Sequence, residues 1–115
     1  MGKYYPLEEQ EKLKTIKSLN DIVTITKLDS YFKITAEAFA EIEKCGLDEE
    51  NNDKAKDFLL MAESYFKDAK YFAFEKKDFV LAFGALNYAH GWLDAGARLR
   101  FFKVNNSRLF TVDDE

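Results

Sequence analysis

The sequence predicts an all-α protein, a small helical bundle of three to four helices built around an antiparallel helical hairpin. Apolar residues recur at steps of three and four along most of the 115 residues, which is the period of a helix and not of a strand. One proline and five glycines leave few breaks in this pattern. Because the chain is 47% hydrophobic and 16% aromatic, we expect one core rich in aromatic rings.

The first predicted element is a weak helix from about residue 7 to residue 20. Pro6 suits a first helical turn, and Leu13 and Ile16 mark an apolar side behind a charged run. The stretch 22–26 that follows is β-branched and forms helices poorly. We therefore treat residues 1–28 as an N-terminal helical extension of a helical bundle domain that spans residues 29–104.

A stronger helix is predicted to begin near Asp29 or Ser30, which are both good N-caps, and to end at Cys45. Gly46 can adopt a left-handed conformation after the last turn, which predicts a Schellman motif. Acidic and amide residues fill positions 48–53 and favour the N-terminus of a third helix through capping and the helix macrodipole.

The third and fourth helices are predicted to form the hairpin and to be the centre of stability. Along one face of the third helix small and aromatic residues alternate, so that a partner helix can approach closely over each alanine. Asp78 is a plausible N-cap for the fourth helix, and the short run before it allows only a tight connection. The alternating residues are Ala55, Phe58, Ala62, Tyr65, Ala69 and Phe72.

The fourth helix, from about residue 79 to residue 102, is apolar over an unusually wide arc. One face carries Ala82, Leu86, Ala89, Leu93 and Ala97, and a second carries Leu81, Ala85, Tyr88, Trp92, Ala95, Leu99 and Phe102. So short a chain has few helices to cover both faces, so we expect a homodimer or docking on another protein, with Tyr88 and Trp92 at the interface. Alternatively, the segment 7–28 folds back over the second face. The tail 105–115 lacks periodicity and is expected to be loose, although Leu109 and Phe110 could dock.

A narrow polar and glycine stripe on the fourth helix is the candidate functional site. Its polar members are Asn87, His90, Asp94 and Arg98. The structural alternative is an ion pair between Asp94 and Arg98 and a hydrogen-bonded histidine in the core or at an interface. Gly84 and Gly91 belong to the same side, and we expect another backbone to approach them closely.

Composition excludes several classes of function. A net charge of -4 argues against general nucleic-acid binding, although Arg98, Arg100, Lys103 and Arg108 make the C-terminal end locally basic. The single Cys45 rules out an intramolecular disulfide and is typical of a reducing compartment. No stretch resembles a membrane span or a signal peptide, so we expect a cytoplasmic protein.

No catalytic, metal-binding or cofactor-binding motif is present, so we assign no catalytic residue, no metal and no cofactor.

The string NYAHGWLDAGARL, together with the preceding YFKDAKYFAFEKKDFVLAF, resembles the signature of the archaeal domain of unknown function 357 family. The resemblance spans roughly residues 29–104, and its most specific part is GWLDAG at residues 91–96. Lys77 stands where this family commonly has glycine before the aspartate of the hairpin turn. The resemblance implies a short helical bundle and assigns no reaction.

Three hypotheses for the function follow. The first is a non-enzymatic protein-interaction module that acts through its fourth helix. The second is a small enzyme or ligand-binding domain with a polar cleft around Asn87, His90, Asp94 and Arg98. The third, which has the weakest basis, is RNA contact through the basic C-terminal end.

Overall fold

The computed structural model describes residues 2–111 and is all-α, as predicted, with no β-strand in that part of the chain. α2, α3 and α4 run up, down and up, and α4 lies in the middle because it packs against both α2 and α3. In chain order the helical elements are α1 (Leu7–Thr15), α2 (Ile25–Cys45), α3 (Asn52–Lys70), a π-helical turn (Tyr71–Glu75) and α4 (Phe79–Arg98).

α1 is shorter than predicted and stands apart from the bundle. It ends at Thr15, whose hydroxyl donates a hydrogen bond to the Lys12 carbonyl, and the backbone of Ile16 is already extended. None of its residues is buried, and among the described residues it packs against no other helix. α1 therefore leaves the second face of α4 uncovered, contrary to the fold-back alternative.

α2 begins at Ile25, before the predicted start at Asp29 or Ser30. Its N-cap is Thr24, whose Oγ1 accepts a hydrogen bond from the Lys27 amide at 3.1 Å. The helix extends this far because Leu28, in the first turn, is only 5% exposed and packs in the core. Burial of this leucine overrides the poor helix propensity of its β-branched neighbours.

The predicted Schellman motif at Gly46 is wrong. Gly46 has φ 92° and ψ 175°, which is far from the left-handed helical conformation that the motif requires. The chain instead turns to meet the end of the bundle, where Leu47 forms a β-bridge with Phe102. The Asp48 amide donates a hydrogen bond to the Phe101 carbonyl at 2.8 Å, so this connection covers the core at the end where α2 and α4 terminate.

The Schellman motif lies at the end of α4, four residues before the predicted end at residue 102. Arg100 is left-handed at φ 64°, its amide donates to the Ala97 carbonyl, and the Phe101 amide donates to the Gly96 carbonyl. The chain therefore reverses, and Phe101 and Phe102 are buried. A side chain at Gly96 would overlap the Phe102 ring, so this position requires glycine.

The hairpin between α3 and α4 is antiparallel and tightly connected, as predicted. Asp78 is the N-cap of α4, and its Oδ1 accepts a hydrogen bond from the Leu81 amide at 3.0 Å. Lys77 in the turn is left-handed at φ 55°. This conformation gives the physical reason for a glycine preference at that position.

The predicted inner faces of the hairpin are buried. Leu86 and Leu93 are fully buried, and the alanines of both helices fill the space between them. Aromatic rings close the edges of this interface with T-shaped contacts. The buried alanines are Ala55, Ala62 and Ala69 on α3 and Ala82, Ala89 and Ala97 on α4.

The C-terminal tail docks on the bundle through Leu109 and Phe110, the two tail residues for which the sequence allowed docking. Leu109 is 3% exposed and Phe110 is 2% exposed, and both belong to the core cluster that includes Ala38 and Leu93. The Asn106 carbonyl accepts hydrogen bonds from both amides and forms a short turn. The rest of the predicted tail, residues 112–115, lies outside the described residues.

Candidate functional site

The structure brings two members of the predicted stripe together and leaves the other two on the surface. His90 and Asp94 are partly buried, with side chains 20% and 32% exposed, and His90 Nε2 lies 3.7 Å from Asp94 Oδ1. Asn87 and Arg98 are exposed on the outer side of α4. Three of the four residues, Asn87, His90 and Asp94, line one small cavity, whereas Arg98 is not among its lining residues.

His90 links three parts of the protein. Its Nε2 lies 2.7 Å from the Leu109 carbonyl oxygen of the tail, and its Nδ1 lies 2.9 Å from Thr35 Oγ1 of α2. A carbonyl oxygen can only accept, so Nε2 carries a proton, and in the neutral ring Nδ1 accepts from the Thr35 hydroxyl. Both ring nitrogens are therefore engaged, and α4 is tied to α2 and to the tail.

The tail is held at two further points. Asp94 Oδ1 accepts a hydrogen bond from the Thr111 amide at 2.9 Å. Arg108 forms an ion pair with Glu37 of α2. In the described part of the chain every buried side-chain nitrogen or oxygen has a hydrogen-bond partner. The polar groups near His90 are thus satisfied within the protein, and the role that this geometry supports for His90 and Asp94 is to hold the tail.

Two small cavities open beside these residues. One, of about 300 Å³, is lined by Asn87, His90, Gly91 and Asp94 together with residues of α2. The other, of about 350 Å³, lies between His90, Asp94 and the tail residues 107–111. His90 and Asp94 line both cavities and are the groups there that could act as a base. Both are already engaged: His90 Nδ1 accepts from the Thr35 hydroxyl and Asp94 Oδ1 accepts from the Thr111 amide. Proton abstraction by His90 would cost its hydrogen bond to Thr35.

Sequence reasoning missed two partners of His90. Thr35 is 2% exposed and lies on the apolar side of α2 at helical spacing from Leu28, Ala38 and Ile42. A polar residue within such a stripe is a signal that it bonds across the core. The signal for the tail was the adjacent apolar pair at positions 109 and 110 in an otherwise polar segment.

The two predicted interface residues lie at the border between α4 and α3. Tyr88 is 55% exposed and packs edge-on against Tyr65, with ring centroids 4.3 Å apart. Trp92 is partly buried and packs edge-on against Phe58 at 5.0 Å. Tyr88 is therefore available to a partner, whereas much of the Trp92 surface is already used within the chain.

An apolar, uncovered strip runs along the outer side of α4 beside Asn87 and Arg98. Val80, Leu81 and Leu99 are each more than half exposed, like Tyr88. We expected another backbone to approach Gly84 and Gly91 closely, but none does so within the chain. A Cβ atom at either position would have no atom from the rest of the described residues within 4 Å, apart from atoms of its own helix. We call this side, formed by Val80, Leu81, Gly84, Tyr88, Gly91, Ala95 and Leu99, the outer face of α4.

The basic C-terminal end is partly neutralised. Lys103 Nζ lies 2.8 Å from a carboxylate oxygen of Glu49, and this hydrogen bond raises the pKa of Lys103 above its usual value. Arg108 is paired with Glu37. Lys103 and Arg108, which belong to the cations that suggested RNA contact, thus have carboxylate partners, and this reduces the charge available to a phosphate backbone.

Residues 2–111 contain neither a metal-binding cluster nor a membrane-spanning helix. No three side chains of His, Cys, Asp or Glu are grouped so that they could bind a metal ion. No helix among them has the length and apolar character that crossing a membrane requires.

The Cys45 thiol lies 3.3 Å from Glu41 Oε1 and donates a hydrogen bond to it. This hydrogen bond, and to a lesser extent burial of the thiol, raises the pKa of Cys45.

Comparison with known proteins identifies the family. No curated protein and no solved structure matches the chain. A family model described as "Protein of unknown function (DUF357)" matches residues 30–102, which include most of α2, all of α3 and α4, and the reversal that buries Phe102. The match covers more than half of the sequence and agrees with the resemblance carried by residues 65–99. The chain therefore belongs to the DUF357 family of proteins of unknown function.

Proposed function

We propose that the protein is a non-enzymatic interaction module that forms a homodimer through the outer face of α4. The observation that supports this proposal is the uncovered apolar surface on the most central helix of the bundle. Val80, Leu81, Tyr88 and Leu99 are between 51% and 65% exposed. Contiguous exposed apolar surface of this kind is typical of protein–protein contact sites.

The glycines on the same face support a helical partner. Gly84 and Gly91 lie two turns apart, and each costs about 1 kcal/mol relative to alanine in a helix interior. Nothing inside the chain uses the space that they leave open. A helix from outside could approach this face closely, with its rings and aliphatic side chains seated over the glycines.

A second copy of the chain suits this face because the face is self-complementary in shape. Large side chains at 81, 88 and 99 alternate with small ones at 84, 91 and 95. A two-fold axis brings the same face of two copies together, so the large residues of one copy can meet the small residues of the other. α1 does not compete for this surface, since it packs on no other helix in the described chain.

The other two hypotheses have less support. For an enzyme or ligand-binding domain, the most reactive candidate, His90, has both nitrogens engaged with Thr35 and Leu109. For RNA contact, Lys103 and Arg108 are paired with carboxylates. Neither hypothesis explains the exposed apolar residues of α4.

The proposal is tested by a matched pair of leucine substitutions. Leu81→Glu places a charge on the outer face of α4, and Leu60→Glu makes the same change at an exposed leucine of α3; the two side chains are 51% and 59% exposed. In light scattering after size exclusion, we expect the wild type and Leu60→Glu to have at least twice the 13.4 kDa chain mass. We expect Leu81→Glu to have a lower mass than either of them at the same concentration. A wild type that stays at 13.4 kDa at every concentration would contradict the proposal.

A further inference from the structure

A second unoccupied apolar surface lies between α2 and α3, away from α4. The two helices never bring their Cα atoms within 8 Å of each other, so an open groove of about 660 Å³ remains between them. Its floor is formed by side chains that also contact the core, among them the rings of Phe39 and Phe66, whose centroids are 5.1 Å apart. The apolar lining residues are Ala36, Phe39, Ile42, Leu47, Leu59 and Phe66.

The size of the groove fits a short helix, and the chain has one without a partner. α1 has nine residues and is therefore about 13 Å long. The α2 side of the groove, from Ala36 to Leu47, extends over about 16 Å. In α1 and just after it, Leu7, Leu13 and Ile16 are between 61% and 68% exposed, although such side chains are stabilised by burial.

The charged residues at the rim of the groove indicate the direction in which α1 would lie in it. Lys67 and Lys70 lie at the end of the groove nearest the turn between α3 and α4, and Glu43 and Glu63 lie closer to the turn between α2 and α3. α1 carries Glu8 and Glu9 in its first turn and Lys12 and Lys14 in its last. The charges match when α1 runs in the same direction as α2, with its acidic end beside the two lysines.

The connection to α2 makes this direction difficult within one chain. With its basic end beside Glu43, α1 would have to return to Ile25 along about 27 Å of helix. The linker 16–24 joins Thr15 to Ile25 through ten Cα–Cα steps and reaches at most about 33–36 Å, so it would have to run back across α2 close to its full length. The direct fold-back would place Lys12 and Lys14 beside Lys67 and Lys70, where like charges repel. A second copy can supply α1 in the matching direction.

From the groove, the unpartnered helix and the charge pattern, we infer that α1 of one copy docks between α2 and α3 of a second copy, and that the exchange is reciprocal. This inference goes beyond the dimer proposed above, because the groove lies on the side of the bundle opposite the outer face of α4. Either contact can exist without the other.

Charge reversal tests the exchange on the full chain. The rim variant is Lys67→Glu with Lys70→Glu, and the helix variant is Glu8→Lys with Glu9→Lys. All four side chains are exposed. Both variants also carry Leu81→Glu, so that association through α4 does not mask the result. We expect sedimentation at low salt to show at least fivefold weaker self-association for each variant alone than for Leu81→Glu. In an equimolar mixture association should recover, because both contacts are then between opposite charges.

The controls separate the possible outcomes. Unchanged melting temperatures show that each variant is folded, which matters because Lys70 Nζ also lies over the Phe66 ring at 4.6 Å. If the mixture does not recover, the exchange is overturned. If a chain that carries all four reversals behaves like Leu81→Glu but the mixture does not, α1 docks in its own chain and the second copy is wrong. If Leu81→Glu leaves the wild-type mass unchanged while the rim variant lowers it, the exchange stands and the α4 dimer fails.

Discussion

At the scale of single residues, Lys77 holds a conformation that suits glycine. Its φ of 55° is left-handed, which costs an L-residue about 1–2 kcal/mol. Lys77→Gly removes this strain, and the greater freedom of glycine in the unfolded chain offsets about 0.4–1 kcal/mol of the gain. We expect the free energy of unfolding in urea to rise by about 0.5–1 kcal/mol.

The neighbouring residue provides the control for that substitution. Lys76 is right-handed at φ -86°, so glycine relieves no strain there. Lys76→Gly should therefore lower the free energy of unfolding by up to about 1 kcal/mol. Equal effects of the two substitutions would show that the left-handed turn contributes no strain.

The reactivity of Cys45 also depends on one neighbour. The hydrogen bond from the thiol to Glu41 stabilises the protonated form, so the raised pKa leaves less thiolate at pH 8 than an ordinary cysteine has. Glu41→Gln removes the negative charge and should lower the pKa of Cys45. Because Cys45 is the only cysteine, the rate of alkylation by iodoacetamide between pH 7 and pH 10 reports on it directly.

The expected result is faster alkylation of the Glu41→Gln variant at pH 8, with the midpoint of the rate profile shifted to lower pH. Glu50→Gln changes an exposed carboxylate in the turn after α2 and should leave the profile unchanged. A Glu41→Gln profile that coincides with the wild type would show that the thiol does not bond to Glu41 in solution.

At the scale of the elements, the hairpin of α3 and α4 has the most extensive packing between two helices in the described part of the chain. Leu86 is fully buried in the middle of α4, where alanines of both helices leave little room for the core to collapse around a cavity. We expect Leu86→Ala to lower the free energy of unfolding by about 2–5 kcal/mol in urea melts. Leu60→Ala, at an exposed leucine of α3 outside the proposed interface, should cost less than about 1 kcal/mol because that side chain is 59% exposed. A similar cost at both positions would mean that the buried face is wrongly assigned.

The hairpin was also the most predictable element, whereas helix ends were not. The buried face of α4 repeats through five positions from Ala82 to Ala97, so its assignment does not depend on any single residue. The end of α4 was misplaced because the apolar period continues to Phe102 and because Arg100 occupies a position where glycine is the usual marker. At the start of α2, Thr24, Asp29 and Ser30 are all residue types that can form an N-cap. The helix begins after Thr24 because Leu28 is buried in its first turn, and the sequence alone does not indicate that burial.

At the scale of the whole molecule, the candidate site depends on contacts that periodicity does not contain. His90 was identified because it is polar on an apolar helix, but its partners are a threonine 55 residues away and a backbone carbonyl of the tail. Every residue has a backbone carbonyl, so the sequence does not indicate which one accepts a hydrogen bond from His90. The geometry is that of the hydrogen-bonded histidine given as the structural alternative, and it adds that His90 and Asp94 bind the protein's own C-terminal segment.

The position of the tail has a consequence for the order of folding. α3 and α4 are neighbours in the sequence, are joined by a short turn and pack extensively against each other, so the hairpin has the local topology of rapidly folding helical proteins. The contacts of the tail join distant parts of the chain, such as Arg108 with Glu37, 71 residues apart. Closing so large a loop has an entropic cost that is recovered only when Leu109 and Phe110 reach a preformed cleft. We therefore expect the bundle to assemble first, with its core still open beside His90, and the last apolar residues to close it in a separate, later step.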